Sequence, residues 1–133
     1  MDCIFCKIVA SEIPSYKVYE DESTLAFLDI APVNFGHTLV IPKKHYANLE
    51  EIPEEELCQV IKTVKKVGQM VKTGLGVQGY NVVSNNDPIA GQIVPHLHWH
   101  IVPRIENDNL ASWPQGEYKE GEAEETLKKL SNN

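Results

Sequence analysis

The stretch His96-Leu97-His98-Trp99-His100-Ile101-Val102 alternates imidazoles with apolar side chains. In an extended chain alternate side chains share a face. This spacing therefore predicts a strand with His96, His98 and His100 on one face and Leu97, Trp99 and Ile101 on the other. Neighbouring histidines would stand about 6.6 Å apart at a rise of about 3.3 Å per residue. Three chemistries fit the row. It could be a polar face that merely hydrogen-bonds, a three-histidine metal centre, or a nucleophilic imidazole flanked by phosphate-binding groups. Side chains of tunable basicity near pH 7 seldom cluster without a role, which weighs against the first. The preceding Gly91-Gln92 supports the third, because a small residue and backbone N–H groups admit an anion.

Working outward, Ile93 to Val102 reads as the last strand, bounded by Pro103. Lys17 to Glu20, Thr24 to Ile30, His37 to Ile41 and Tyr80 to Ser84 read as four more strands. Residues 4–9 suit one or two helical turns. Pro53 to Thr73 is the long helix: Pro53 suits its first position and Glu54, Glu55 and Glu56 its positive end. Leu57, Ile61, Val64, Val67 and Val71 form an apolar stripe. Cys58 beside it is expected to be a small packing residue. Glu122 to Leu130 predicts a short exposed helix after an irregular stretch. The expected fold class is α+β, a five-stranded antiparallel sheet with one long helix and short terminal helices. Gly74-Leu-Gly76-Val-Gln-Gly79 matches a dinucleotide-binding pattern in letters only, because here a helix ends and a strand begins.

The chain has 133 residues, of which 42% are apolar and 23% charged, which suits a single domain over residues 1–133. Twelve Lys and Arg against 19 Asp and Glu give a net charge of −7, without the basic footprint of a binder of polymeric nucleic acid. No apolar run is long enough to span a bilayer, so no membrane partner is expected. The N-terminal Met1-Asp2-Cys3-Ile4-Phe5-Cys6-Lys7 lacks the features of a signal peptide, so a cytoplasmic location with reduced thiols is expected. In that setting Cys3-x-x-Cys6 reads as a metal or redox pair.

The triad, together with Ile4-Phe5-Cys6-Lys7-Ile8, Glu12-Ile13-Pro14, Ala26-Phe27-Leu28-Asp29-Ile30, Gly36 to His45 and Ala90-Gly91-Gln92, resembles the histidine triad (HIT) superfamily over about residues 3–105. The tail, residues 106–133 with Trp113, lies outside it. The resemblance implies a nucleotide hydrolase or nucleotidyl transferase acting at the α-phosphate of nucleoside phosphoramidates or dinucleoside polyphosphates. The ligand would be a purine nucleotide or nucleotide conjugate, and the protein a homodimer. A binding or scaffold protein with little turnover is the alternative, opposed by the intact His98.

By the same resemblance His98 is the nucleophile, His100 donates to the phosphate, and His37 supports them. Asp29 would grip the ribose. Asn85, Gly91, Gln92 and Ile93 would lie at the phosphate, and Ile4, Phe5, Ile13, Phe27 and Ile30 would wall the base pocket. Several relatives carry Ser or Thr where this chain has Ile93, and an isoleucine cannot assist a leaving group with a hydroxyl. Some branches hold a structural zinc through positions that here are Cys3, Cys6, His45 and His96, a complete tetrahedral set.

Overall fold

The computed structural model describes residues 2–131. The fold begins with α1 (Ile4–Val9), followed by the strands β1 (Lys17–Glu20), β2 (Thr24–Leu28) and β3 (Thr38–Pro42). The long helix α2 (Glu54–Leu75), β4 (Gly79–Val83), a 3₁₀ turn (Pro88–Ala90), β5 (Trp99–Arg104) and α3 (Glu122–Ser131) complete it. The strands form one sheet in the order β1-β2-β3-β5-β4, each pair antiparallel. The expected α+β architecture is present, and β5 lies between β3 and β4.

The β1–β2 turn is organised by Asp21, whose Oδ1 accepts from the backbone N–H groups of Ser23 (3.0 Å) and Thr24 (2.8 Å) and from Thr24 Oγ1 (2.9 Å). Each face of the sheet buries its own cluster. One joins Ala26, Val40, Leu97, Trp99 and Ile101 to the valines of α2. The other joins Leu25, Phe27, Leu39 and Ile41 to Phe5 and Ile8 of α1. The apolar reverse of the histidine row thus packs on the long helix, and α1 covers the opposite face.

Several elements depart from the sequence expectation. β5 begins at Trp99 rather than Ile93 and runs on through Pro103 to Arg104. Pro95 has no N–H to donate, and the chain bends around it. The His96 N–H bonds to Val94 O (2.8 Å) and the Leu97 N–H to Tyr46 O (2.7 Å). Alternation survives the bend, because Leu97, Trp99 and Ile101 are all buried on the α2 side. β2 stops at Leu28, because the Asp29 side chain turns the chain by accepting from the Ala31 N–H.

The buried face of α2 consists of Val60, Thr63, Val64, Val67, Gly68 and Val71, while Ile61 is 45% exposed. A polar residue hid this phase of the stripe. Thr63 is buried because its hydroxyl shares a 2.8 Å hydrogen bond with Thr24 on β2. Cys58 is exposed rather than packed, since it lies off the valine face. Gly76 closes α2 with φ +67°, a left-handed cap, which accounts for one glycine of the deceptive pattern.

The tail runs irregularly to α3, which buries no residue, and Trp113 is exposed. Its start is fixed by Asp108, which accepts from Arg104 Nε (2.8 Å) and Nη2 (2.9 Å), from Asn34 Nδ2 (3.1 Å) and from the Ile105 and Leu110 N–H groups.

Two stability predictions follow from these contacts. A Cβ at Gly68 would lie 2.6–2.8 Å from the Tyr80 ring and hydroxyl. Gly68→Ala should therefore destabilise by about 1–3 kcal/mol through overpacking, despite the helix preference for alanine. In a Tyr80→Ala background the same change should stabilise by about 1 kcal/mol; urea denaturation of the four proteins checks the reversal. The Arg104 guanidinium, with backbone N–H groups, holds the Asp108 carboxyl well below its ordinary 3.8. A carboxylate with a depressed pKa contributes stability above its unfolded value and loses it as the pH falls. Asp108→Asn should lower the melting temperature at pH 7, and its gap from the wild type should narrow on acidification below about pH 4.

Candidate active site

β5 and the bend before it carry the triad. His98 is buried, and its Nδ1 lies 2.7 Å from the carbonyl oxygen of His96. A carbonyl only accepts, so Nδ1 carries the proton and Nε2 is left with its lone pair. Ser84 on the strand side donates its hydroxyl to the His98 carbonyl (2.9 Å), fixing the backbone at this point. The ring also meets Phe5 edge-on, with centroids 5.2 Å apart.

The tautomers of the neighbouring rings follow from the same rule. The Val33 N–H donates to His37 Nδ1 (3.1 Å), so the proton of His37 sits on Nε2. That Nε2–H donates to His100 Nδ1 (2.9 Å), which leaves His100 with its own proton on Nε2. One backbone amide thus sets two rings in series. Burial is the main cause that lowers the His37 and His98 pKa values below 6.5 and takes His100 down to about 4, so all three rings are neutral at pH 7. For His100 the repulsion of His98 and His37 adds to burial. Asp29 stands beside this chain, with Oδ2 3.7 Å from His37 Nε2 and Oδ1 accepting from the Ala31 N–H (2.9 Å).

His98 and His100 open onto a cavity of about 390 Å³. Ile4, Phe5, Ile13, Phe27 and Ile30 all line it, as do Asp29, Gly91 and Ile93. Phe5 and Phe27 are buried and meet edge-to-face at 5.5 Å, while Ile30 and Ile93 are exposed at the rim. Ile8, one turn on from Ile4 and Phe5, and Leu39 also line the cavity. The helical spacing of Ile8 could have revealed it in the sequence.

Gln92 does not line the cavity. Its amide accepts from the Asp87 N–H (2.7 Å) and donates to the carbonyls of Ala47 (2.6 Å) and Val94 (3.1 Å), so it shapes the loop from within. Asn85 is not in the lining either; its amide packs beside Gly91, close to where a Cβ would project. Gly91 itself has φ +96°.

His96 faces elsewhere. Its Nε2 lies 2.9 Å from the Pro42 carbonyl and must donate to it, leaving Nδ1 proton-free. That Nδ1 is 3.5 Å from Cys3 Sγ, 3.6 Å from Cys6 Sγ and 3.2 Å from His45 Nδ1. Donor atoms of Cys3, Cys6, His45 and His96 all lie within 4.8 Å of one another. Burial, followed by Cys3, pushes the Cys6 thiol up, and burial takes His96 down to about 4. Two sulfurs and two imidazole nitrogens converging around one point fit a tetrahedral cation, which would favour the thiolates that burial opposes.

The sequence model of one protein family, the HIT domain, matches residues 10–107. The chain belongs to the HIT family. An uncharacterised HIT-like protein of Methanocaldococcus jannaschii is 54% identical, over 96% of this chain and 98% of its own length. An adenosine 5′-monophosphoramidase of Schizosaccharomyces pombe is 48% identical, over 78% of this chain and 75% of its own. The crystal structure of a HIT-family protein from Bacillus subtilis superposes with a TM-score of 0.91 at 41% identity, covering 99% of this chain and 96% of that one. Within this HIT domain the triad is divided in space: His98 and His100 face the cavity, and His96 faces the cysteines.

Proposed function

We propose that this HIT protein is a nucleotide hydrolase or nucleotidyl transferase that forms a covalent nucleotidyl-His98 intermediate. One observation carries the reading. His98 lines the cavity with Nδ1 tied to the His96 carbonyl, so its proton-free Nε2 is the nitrogen available for attack. The name of the fission-yeast relative, an adenosine 5′-monophosphoramidase, supports nucleoside phosphoramidates as the substrate class; dinucleoside polyphosphates are the other class the site chemistry admits.

In the first step Nε2 of His98 bonds to the α-phosphorus and the bond from phosphorus to the leaving group breaks. The departing atom takes one proton from solvent. In the second step water attacks, the N–P bond breaks, the nucleoside monophosphate leaves and the proton returns to solvent. His100 Nε2–H donates to a phosphate oxygen as negative charge builds there. His37 holds His100 in the donating tautomer. Asp29 accepts the ribose hydroxyls through the lone pairs its turn leaves open, and Ile4, Phe5, Ile13, Phe27 and Ile30 surround the purine. Gly91 lets the backbone approach the phosphate, and Asn85 and Gln92 hold that loop in place. Ile93 borders the leaving group.

Cys3, Cys6, His45 and His96 are proposed to hold a structural zinc with no open position, which would neutralise the buried thiolates and tie α1 to the triad. A homodimer is supported by β4, an outer strand with Val82 exposed, and by Ile61 and Met70, exposed on α2. A cytoplasmic location fits a Cys3-x-x-Cys6 pair kept reduced for metal binding. No helix among the described residues is long and apolar enough to cross a membrane.

His98→Ala should lower hydrolysis of adenosine 5′-phosphoramidate at least about 10³-fold, as removal of a nucleophile does, while retaining its zinc. Metal analysis and steady-state rates on the same preparation check both halves. Hydrolysis at the wild-type rate contradicts the nucleophile, and zinc lost together with His98 contradicts the division of the triad. Cys3→Ser with Cys6→Ser should abolish stoichiometric zinc and lower the melting temperature; zinc retained by that double variant contradicts the ligand set.

A further inference from the structure

His37 orients His100, and the loop between β2 and β3 holds every polar group of His37. Its N–H donates to the Asn34 carbonyl (3.0 Å), its carbonyl accepts from the Asp29 N–H (2.9 Å), and its Nδ1 accepts from the Val33 N–H (3.1 Å). Where the loop sits, the ring sits. Apolar packing holds that loop poorly, since Ile30 is 87% exposed and Phe35 90%. Its sequence, Ile30-Ala31-Pro32-Val33-Asn34-Phe35-Gly36, contains one polar side chain, Asn34. The Asn34 amide has two protons, and both go outside the loop. Nδ2 donates to the Pro103 carbonyl (2.9 Å) and to Asp108 Oδ2 (3.1 Å). Pro103 lies on β5 beyond His100, so one side chain ties the His37 loop to the strand that carries His100. Asp108 is the anchor of that tie. Its side chain is 6% exposed and gripped by Arg104 at the end of β5. It lies just past residues 10–107, the span matched by the HIT domain.

We propose that Asn34, anchored by Asp108, is a positioning residue for the reaction: it sets the His37 ring against His100 and so aims the His100 Nε2–H at the phosphate. The inference rests on the nucleotidyl-His98 reading and extends its machinery to the start of the tail. Asn34 does not line the cavity, so it acts only through the two rings. Without its amide the loop keeps its internal bonds but is no longer tied to β5, and the 2.9 Å bond from His37 Nε2–H to His100 Nδ1 is lost. The His100 donor then misses the oxygen on which charge builds in the transition state. The loss falls on kcat more than on KM, because the interaction strengthens as the reaction proceeds.

The test compares the wild type, Asn34→Ala, Asp108→Asn and Gly68→Ala. The ¹⁵N–¹⁵N coupling through the hydrogen bond from His37 Nε2–H to His100 Nδ1 reads the pairing of the rings. The kcat and KM for adenosine 5′-phosphoramidate read what that pairing does. The wild type should show the coupling. Asn34→Ala should lose it and lower kcat by about tenfold to hundredfold, the cost of a misplaced group, with KM little changed. Asp108→Asn, which leaves Asn34 its bond to Pro103, should move both readouts the same way and by less. Gly68→Ala weakens the fold on α2 and should keep the coupling and kcat of the wild type. Coupling and kcat both kept in Asn34→Ala overturn the proposal, as does either one lost without the other. A loss that Gly68→Ala reproduces also overturns it, because general destabilisation then explains the effect. A wild type that neither turns over the amidate nor carries an adenylyl group on His98 when quenched overturns the nucleotidyl-His98 reading instead. The coupling then still decides whether Asn34 pairs the rings.

Discussion

The site depends on one hydrogen bond, from His98 Nδ1–H to the carbonyl of His96 at 2.7 Å. An imidazole can attack only through a nitrogen that has no proton, and a neutral ring has one such nitrogen. A carbonyl two residues earlier decides which nitrogen that is. Burial keeps the ring neutral, so the lone pair on Nε2 is present at pH 7 without a general base to uncover it. The neighbouring rings follow the opposite assignment by the same physics. The Val33 amide proton fixes His37, and His37 fixes His100. One cavity therefore receives a lone pair from His98 and an N–H from His100, the two polarities that attack on a phosphate requires.

Everything around His96 serves to hold that carbonyl in place. Its Nε2 donates to Pro42 at the end of β3, and its Nδ1 turns toward Cys3, Cys6 and His45. Its backbone N–H bonds to Val94, and the next N–H bonds to Tyr46. Cys3 begins the turn from which α1 starts, and α1 supplies Ile4, Phe5 and Ile8 to the cavity. A cation held by these four side chains would tie α1, with its share of the cavity lining, to the backbone that carries the proposed nucleophile. The core of the sheet sets the remainder. Leu97, Trp99 and Ile101 pack against α2, so the histidines between them can only face the other way.

Much of this was legible in the sequence because alternation and helical periodicity report burial directly. The five strands, the long helix and the alternation of the three histidines with Leu97, Trp99 and Ile101 all derive from side-chain spacing. What stayed hidden depended on partners distant in sequence. Thr63 reads as a polar interruption of the α2 stripe until Thr24 is seen opposite it. Ile61 then reads as core, although the helix turns it to the surface. The bend at Pro95 shortens β5 without disturbing the alternation, so the pattern alone could not place the strand's start. Gln92 reaches the Ala47 carbonyl 45 positions away, and its inward amide has no local signature. The backbone groups of Val33 and Pro42 that assign ring protons leave no mark on residue identity at all.

The central claim concerns where protons sit on three rings, and long-range ¹H–¹⁵N correlation spectra of the imidazoles at pH 7 measure it directly. The account predicts His98 as the Nδ1–H tautomer with a bare Nε2, and His37 and His100 as Nε2–H tautomers. A His98 ring protonated on Nε2, or an imidazolium at that pH, would contradict it.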